Sequence, residues 1–242
     1  SPHFLLHSGQ DRRAREVLDR VARTNGQLPA DAPLAIPTRH RARMRDLLSS
    51  ELRRRTLLIL TAWLLISTAY YGVFIWLPGR LVTEGYGFVR GYGFLVLLAM
   101  AQLPGYALAA LGIETIGRRR TLIAFLVLSA AGCLLFVVAE QPGWVAVALL
   151  AMSFALLGTW GGLYAYTPEL YPTGLRATGM GVAGAMARVG GLLAPSAIGL
   201  IIGAAFHLTI GLLAGLLLLA ALAVGMIEVE TKGRPLGQAD AP

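Results

Sequence analysis

One basic residue, Arg188, stands alone inside a long apolar run. A charge near mid-bilayer costs at least about 2.5 kcal/mol and normally faces a bundle interior or a wet cavity. Counted from residue 178, where the run begins, Arg188 sits roughly 15 Å deep at 1.5 Å per residue. Two readings follow from that depth. Either the guanidinium meets an anionic substrate or a buried carboxylate, or it belongs to a polar cluster at the helix end and snorkels towards it.

Aromatic and amide groups recur at helical spacing in the neighbouring runs. Tyr70 and Phe74 are four apart, with Tyr71 beside them; Gln102 and Tyr106 are four apart; Trp160, Tyr164 and Thr167 follow i, i+4, i+7. An amide near mid-membrane needs a partner. Pockets for small ligands are lined by such apolar and aromatic groups, with a few polar or charged ones that fix orientation. Tyr70, Phe74, Gln102, Trp160, Tyr164 and Arg188 are therefore the candidate substrate-binding residues. The competing reading is packing and interfacial anchoring, which suits Trp76 and Trp144 near the ends of their runs.

A second group of charges falls at helix ends: Glu114, Arg118, Arg119, Glu169, Arg176, Glu228 and Glu230. Opposite charges there can pair between helices when the helix ends lie together and part when they separate, which makes a latch on a two-state motion. Glu169 with Arg176 is the pair expected to do this. For Arg118, Arg119 and Arg120 an equal reading is that they simply hold topology.

Other chemistries find no support. Cys133 is the only cysteine and lies in an apolar run, so no disulfide framework or cysteine metal site is expected. His3 and His7 lack further ligands and read as solvated loop residues. Gly179, Gly181 and Gly184 form a G-x-G-x-x-G string, but no strand precedes it, so a dinucleotide cofactor is not expected. With no paired carboxylates or histidine clusters inside the runs, an enzyme is not expected. No cofactor or metal is called for.

The positioning elements follow from composition. The 242 residues are 56% hydrophobic and only 14% charged, where a soluble domain carries about a quarter charged. Roughly 20 apolar residues span a bilayer core. Six runs qualify: 56–77, 92–113, 121–139, 144–166, 178–202 and 208–227. Gly158 and Gly162 offer a close-packing G-x-x-x-G face, and Pro195 with its neighbouring glycines is expected to weaken or kink the fifth run. Residues 1–55 are Arg-rich, with an amphipathic helix closed by Asn25-Gly26 and a further helix-like stretch over 39–55. A tail occupies 228–242. The arginines before residue 56, Arg118 to Arg120, Arg176, Lys232 and Arg234 share one side, against Arg80 and Arg90 on the other. The positive-inside rule then puts both termini in the cytoplasm of a multi-pass cell-membrane protein. The net charge of +8 reads as topology, not nucleic-acid binding, because no soluble module carries it.

Three segments are distinctive: the Gly112–Arg120 stretch with Gly117-Arg118-Arg119, the Tyr166–Gly179 stretch with Pro168-Glu169-Leu170-Tyr171-Pro172, and Glu230-Thr231-Lys232-Gly233. With Ser1-Pro2-His3-Phe4-Leu5 they resemble the motif set of the major facilitator superfamily, in its sugar-porter-like and metabolite:proton symporter branches. Residues 164–172 most resemble bacterial niacin and aromatic-acid transporters. The resemblance implies an all-α fold, six transmembrane helices forming one half of a twelve-helix transporter behind a cytoplasmic helical loop. It further implies a small-molecule substrate (an organic acid, a vitamin-like aromatic acid or a sugar), protons, a lipid bilayer and an N-terminal six-helix half as partners, and symport as the activity. Two departures stand out. Glu114-Thr115 replaces the usual Asp-Arg, and His3 replaces an arginine. A non-transporting receptor on the same scaffold is the alternative.

Overall fold

The computed structural model describes residues 2–28, 43–83, 85, 87, 92–203 and 205–233. The side chains of His3, His7 and Arg80, with residues 29–42, Arg90 and Arg234, lie outside the described residues. The chain divides into two units, Ser1–Arg41 and Ala42–Pro242.

In the first unit α1 (Pro2–His7) packs on α2 (Asp11–Thr24), burying Leu6 and Ala14. The Asn25-Gly26 stop works as a Schellman cap. Gly26 takes φ +70°, its N–H donates to Arg23 O at 3.1 Å, and the Gln27 N–H donates to Ala22 O at 2.8 Å.

The second unit holds six helices, each long and apolar enough to cross a membrane: α3 (Arg53–Thr83), α4 (Tyr92–Thr115), α5 (Arg118–Val138), α6 (Pro142–Glu169), α7 (Arg176–Ile202) and α8 (Phe206–Gly225). Their number and order match the six apolar runs. Their ends do not. Helix α3 takes in Arg53, Arg54 and Arg55, and α6 runs on to Glu169, because hydrogen bonding along a helix continues past the point where hydropathy falls. The helix-like stretch expected over 39–55 is, where described, only a 3-10 turn at Met44–Leu48 followed by the start of α3. Helix α7 continues through Pro195 as one helix.

The packing follows a twofold pattern. Helix α3 packs most extensively on α7 and α8, while α6 packs most extensively on α4 and α5, and α5 meets α8 across the middle. Two three-helix sets, α3 to α5 and α4's counterpart α7 within α6 to α8, therefore correspond element by element. Helices α4 and α7 are the outliers of the bundle and the least buried.

Lipid removes the hydrophobic drive between helices, so contact rests on close approach at small residues. The contacts bear this out. A Cβ on Gly105 of α4 would lie 2.2 Å from the Phe154 carbonyl oxygen of α6, and one on Gly190 of α7 would lie 2.9 Å from the Leu64 carbonyl oxygen of α3. Gly158 lies under the Phe125 ring and Gly162 against Leu122, which is how the G-x-x-x-G face receives α5.

Candidate functional site

Aromatic rings from α3 and α6 interlock at mid-bundle. Tyr70 lies 4.8 Å from Phe74 and 5.7 Å from Trp160, centroid to centroid, and Trp160 lies 5.9 Å from Tyr164. Four of the sequence-predicted residues thus form one wall. Edge-on and tilted geometries of this kind contribute roughly 0.5–1.5 kcal/mol per pair beyond area burial.

Trp63 is the residue that periodicity missed. Its buried ring sits 5.6 Å from Trp160 and 5.1 Å from Tyr164, and its Nε1–H donates to Thr167 Oγ1 at 2.9 Å. The signal was present: Trp63 is two helical turns before Tyr70. Thr167, one turn beyond Tyr164 in the same spacing, is fully buried and serves as Trp63's acceptor. Tyr106 of α4 extends the surface. Its ring lies on Gly161, where a Cβ would come within 3.3 Å of Cδ1. Tyr71 likewise lies on Gly191 of α7. Tyr164, Tyr106 and Tyr71 all remain open on this side of the bundle.

Gln102 is one turn from Tyr106 and finds the partner its amide requires: Nε2 donates to Ser153 Oγ at 3.2 Å, and Ser153 Oγ donates to Leu98 O at 2.8 Å. Arg188 is exposed on α7, and its Nη1 donates to Gly184 O at 3.1 Å, one turn back along its own helix. That bond uses one of five guanidinium donors. Arg188 and Gly191, on which the Tyr71 ring lies, share a face of α7 at i, i+3.

The helix-end charges form a second cluster. Arg118 Nε lies 3.1 Å from Glu169 Oε2, with both side chains under a fifth exposed (17% and 19%). Its Nη1 donates to Ile113 O at 3.0 Å. Removing one partner from a pair sequestered in this way costs more than at the surface, where the median pair contributes about 0–1 kcal/mol, because the other charge is left desolvated. Glu114, 3.4 Å from Arg118 but 73% exposed, adds little. Arg118, not Arg176, is thus the cation on Glu169. In place of the expected Glu169–Arg176 pair, the Arg176 Nε–H donates to Tyr171 O at 3.1 Å. Burial pushes the neighbouring Tyr171 phenol above its ordinary value, so that it stays neutral.

Glu230 caps α5. Its Oε1 accepts from the N–H groups of Arg118 at 2.9 Å, Thr231 at 3.0 Å and Lys232 at 3.3 Å. A carboxylate at a helix N-terminus meets donors that have no partner within the helix. Arg119 does the converse, donating to the Val224 and Gly225 carbonyls at the end of α8. Glu228 pairs with Arg54 at 2.6 Å on the exposed surface, and Tyr166 OH donates to Val229 O at 2.5 Å. The segment after α8 is thereby strapped to α3, α5 and α6.

Gly117 makes the Glu230 cap possible. It takes φ +107°, and a Cβ there would lie 2.6 Å from the Glu230 carboxylate. Gly117→Ala should therefore destabilise the protein by about 1–3 kcal/mol and free the tail. Faster proteolysis after Glu228 in the variant is the readout, and equal cleavage rates would refute the cap.

Comparison with known proteins accords with this geometry. The chain is 34% identical over 237 residues to the niacin transporter NiaP of Acinetobacter baylyi, covering 96% of this chain and 54% of that protein. It is 36% identical over 183 residues to a putative niacin/nicotinamide transporter NiaP of Bacillus subtilis, covering 74% and 45%. To the synaptic vesicle 2-related protein of Xenopus laevis it is 30% identical over 259 residues, covering 98% and 47%. The chain spans about half the length of these curated relatives. The model of the sugar (and other) transporter family matches residues 1–241, so this chain belongs to that family of membrane transporters within the major facilitator superfamily.

Proposed function

We propose that this chain is the C-terminal half of a secondary transporter that moves a small organic metabolite together with protons by alternating access. The observation that carries the reading is Arg188, an exposed cation deep in the apolar helix α7, which packs on the helix that carries Tyr70 and Phe74. Lipid does not tolerate that face, so it belongs against a wet cavity. Tyr70, Phe74, Gln102, Trp160, Tyr164 and Arg188 line the substrate side. Glu114, Arg118, Arg119, Glu169, Arg176, Glu228 and Glu230 form the cytoplasmic gate, with both termini, the 1–55 segment and the 228–242 tail on that side. An aromatic or vitamin-like monocarboxylate fits the pairing of one cation with several flat rings, and relatives named as niacin transporters support it.

Uptake of labelled nicotinate and benzoate by cells expressing the full gene product tests this. Saturable uptake that collapses in Trp160→Ala, and that a protonophore stops, is expected. Uptake untouched by Trp160→Ala would remove the aromatic wall from the site. Residues 1–242 alone, reconstituted in proteoliposomes, should show no proton-coupled flux, because the outlying faces of α4 and α7 require a second six-helix half to close a pathway. Flux by the isolated chain would contradict the half-transporter reading.

A further inference from the structure

The outlying helices that carry the two polar residues of the proposed site are each tied to a buried serine of an inner helix, directly at Gln102 and one residue away at Arg188. Ser67 of α3 is fully buried, and its Oγ–H donates to the Ala187 carbonyl at 2.5 Å. Ala187 is the residue before Arg188. Ser153 of α6 is also fully buried; it accepts the Gln102 amide and donates to the Leu98 carbonyl on α4. The two serines occupy corresponding inner helices of the twofold pattern, and each reaches into the corresponding outlying helix. A glycine marks the closest approach in both cases, Gly190 on α7 and Gly105 on α4.

We infer that Ser67 and Ser153 are positioning residues for substrate recognition, fixing Arg188 and Gln102 on helices that little else holds. This rests on the site reading given above. The physical argument concerns α7 and α4 themselves. Each carries a proline, Pro195 or Pro104, that removes one backbone hydrogen bond from the helix. Each packs mainly on a single inner helix, so its rotation about its own axis is weakly restrained. A hydroxyl bonded to a main-chain carbonyl is a directional restraint that apolar packing does not supply. On α7 it acts one residue before the cation, so a small rotation there moves the guanidinium most. Trp76 adds a second tie above the proline, its Nε1–H donating to Pro195 O at 2.8 Å. Between these ties lies the Gly190-Gly191 pair, so the segment carrying Arg188 is anchored at both ends and pliant in the middle.

The test uses thiol reactivity, which does not depend on knowing the substrate. Cys133, the one cysteine of these 242 residues, is buried, so Arg188→Cys is placed in the full gene product with every cysteine outside them replaced by serine, which leaves one accessible thiol. Its reaction rate with a charged methanethiosulfonate is measured in membranes, alone and combined with Ser67→Ala. Membrane hydrogen bonds average about 0.6 and reach about 1.7 kcal/mol, so the rate should change by about 3- to 16-fold. Ser129→Ala is the control. It removes an equally buried helix hydroxyl, bonded to Phe125 O and near Thr159, that touches neither Arg188 nor Gln102. That control should leave the rate unchanged. In parallel, Ser67→Ala and Ser153→Ala should raise the KM for nicotinate uptake by a similar factor with kcat little altered, and Ser67→Thr should restore it. An unchanged thiol rate in Ser67→Ala, or an equal change in Ser129→Ala, overturns the positioning role. If that happens while Arg188→Ala still abolishes uptake, the site reading survives and only this inference fails. A thiol at 188 that reacts in no background overturns both.

Discussion

Arg188→Ala should abolish measurable nicotinate uptake while leaving the protein in the membrane at wild-type level. The arginine is the one cation on the open face of α7, roughly 18 Å from the helix start at Arg176 at 1.5 Å per residue. With one donor spent on Gly184 O, the guanidinium still offers a bidentate edge to a carboxylate. Losing one partner of a desolvated, hydrogen-bonded charge pair costs about 2–5 kcal/mol, or a factor of about 30 or more in affinity. Arg188→Lys keeps the charge and loses the fork, so it should recover part of the activity and not all. Transport at the wild-type rate in Arg188→Ala would return the residue to the other reading, a deep snorkelling member of a polar cluster. The fold should tolerate the change, because Arg188 is exposed and its one structural bond lies within its own helix.

Gly105→Ala should be the most damaging single methyl in the bundle. The added Cβ would sit 2.2 Å from the Phe154 carbonyl oxygen and 3.1 Å from its carbonyl carbon. Both are backbone atoms of α6, so no side chain can turn aside. Helix α4 must back away, and with it go the Gln102–Ser153 and Ser153–Leu98 hydrogen bonds, 3.2 and 2.8 Å long. Overpacking of this kind costs about 1–3 kcal/mol, and more where backbone must move. A clear fall in the melting temperature of the detergent-solubilised protein is expected. Gly215→Ala on α8 is the comparison, since a Cβ there meets nothing within 4 Å. It should be neutral or slightly stabilising, as alanine is the better helix former. Equal melting of the two variants would show that α4 and α6 are not in the contact described here.

Both predictions reach the same two helices by different routes. Arg188 concerns what the open face of α7 does, and Gly105 concerns how α4 is kept in place. The pairing of α4 with α6 and of α7 with α3 seats each outlying helix at small residues and ties it by a buried serine, with Trp76 a further tie on α7. That arrangement suits elements that shift between states more than elements of a static core.

Six apolar runs could be counted from the amino acids alone, because a bilayer demands about 20 apolar residues per helix and satisfies the backbone only within the helix. The lone charge at 188, the aromatic spacings in α3 and α6, and the glycine stop of α2 were legible for the same reason: each is a local pattern. What stayed hidden was every decision between helices. Nothing in the residue order says that Arg118 takes Glu169 while Arg176 turns to Tyr171 O, because like-charged arginines near one acid are equivalent until the helix ends are placed. Trp63 gave no polar signal of its own, and its role as support for Trp160 and Tyr164 appears only when α3 and α6 meet. The Glu230 cap, the Gly105 contact and the two serine ties join residues far apart in the chain. Local spacing determines which face of a helix is special; only tertiary packing decides what that face touches.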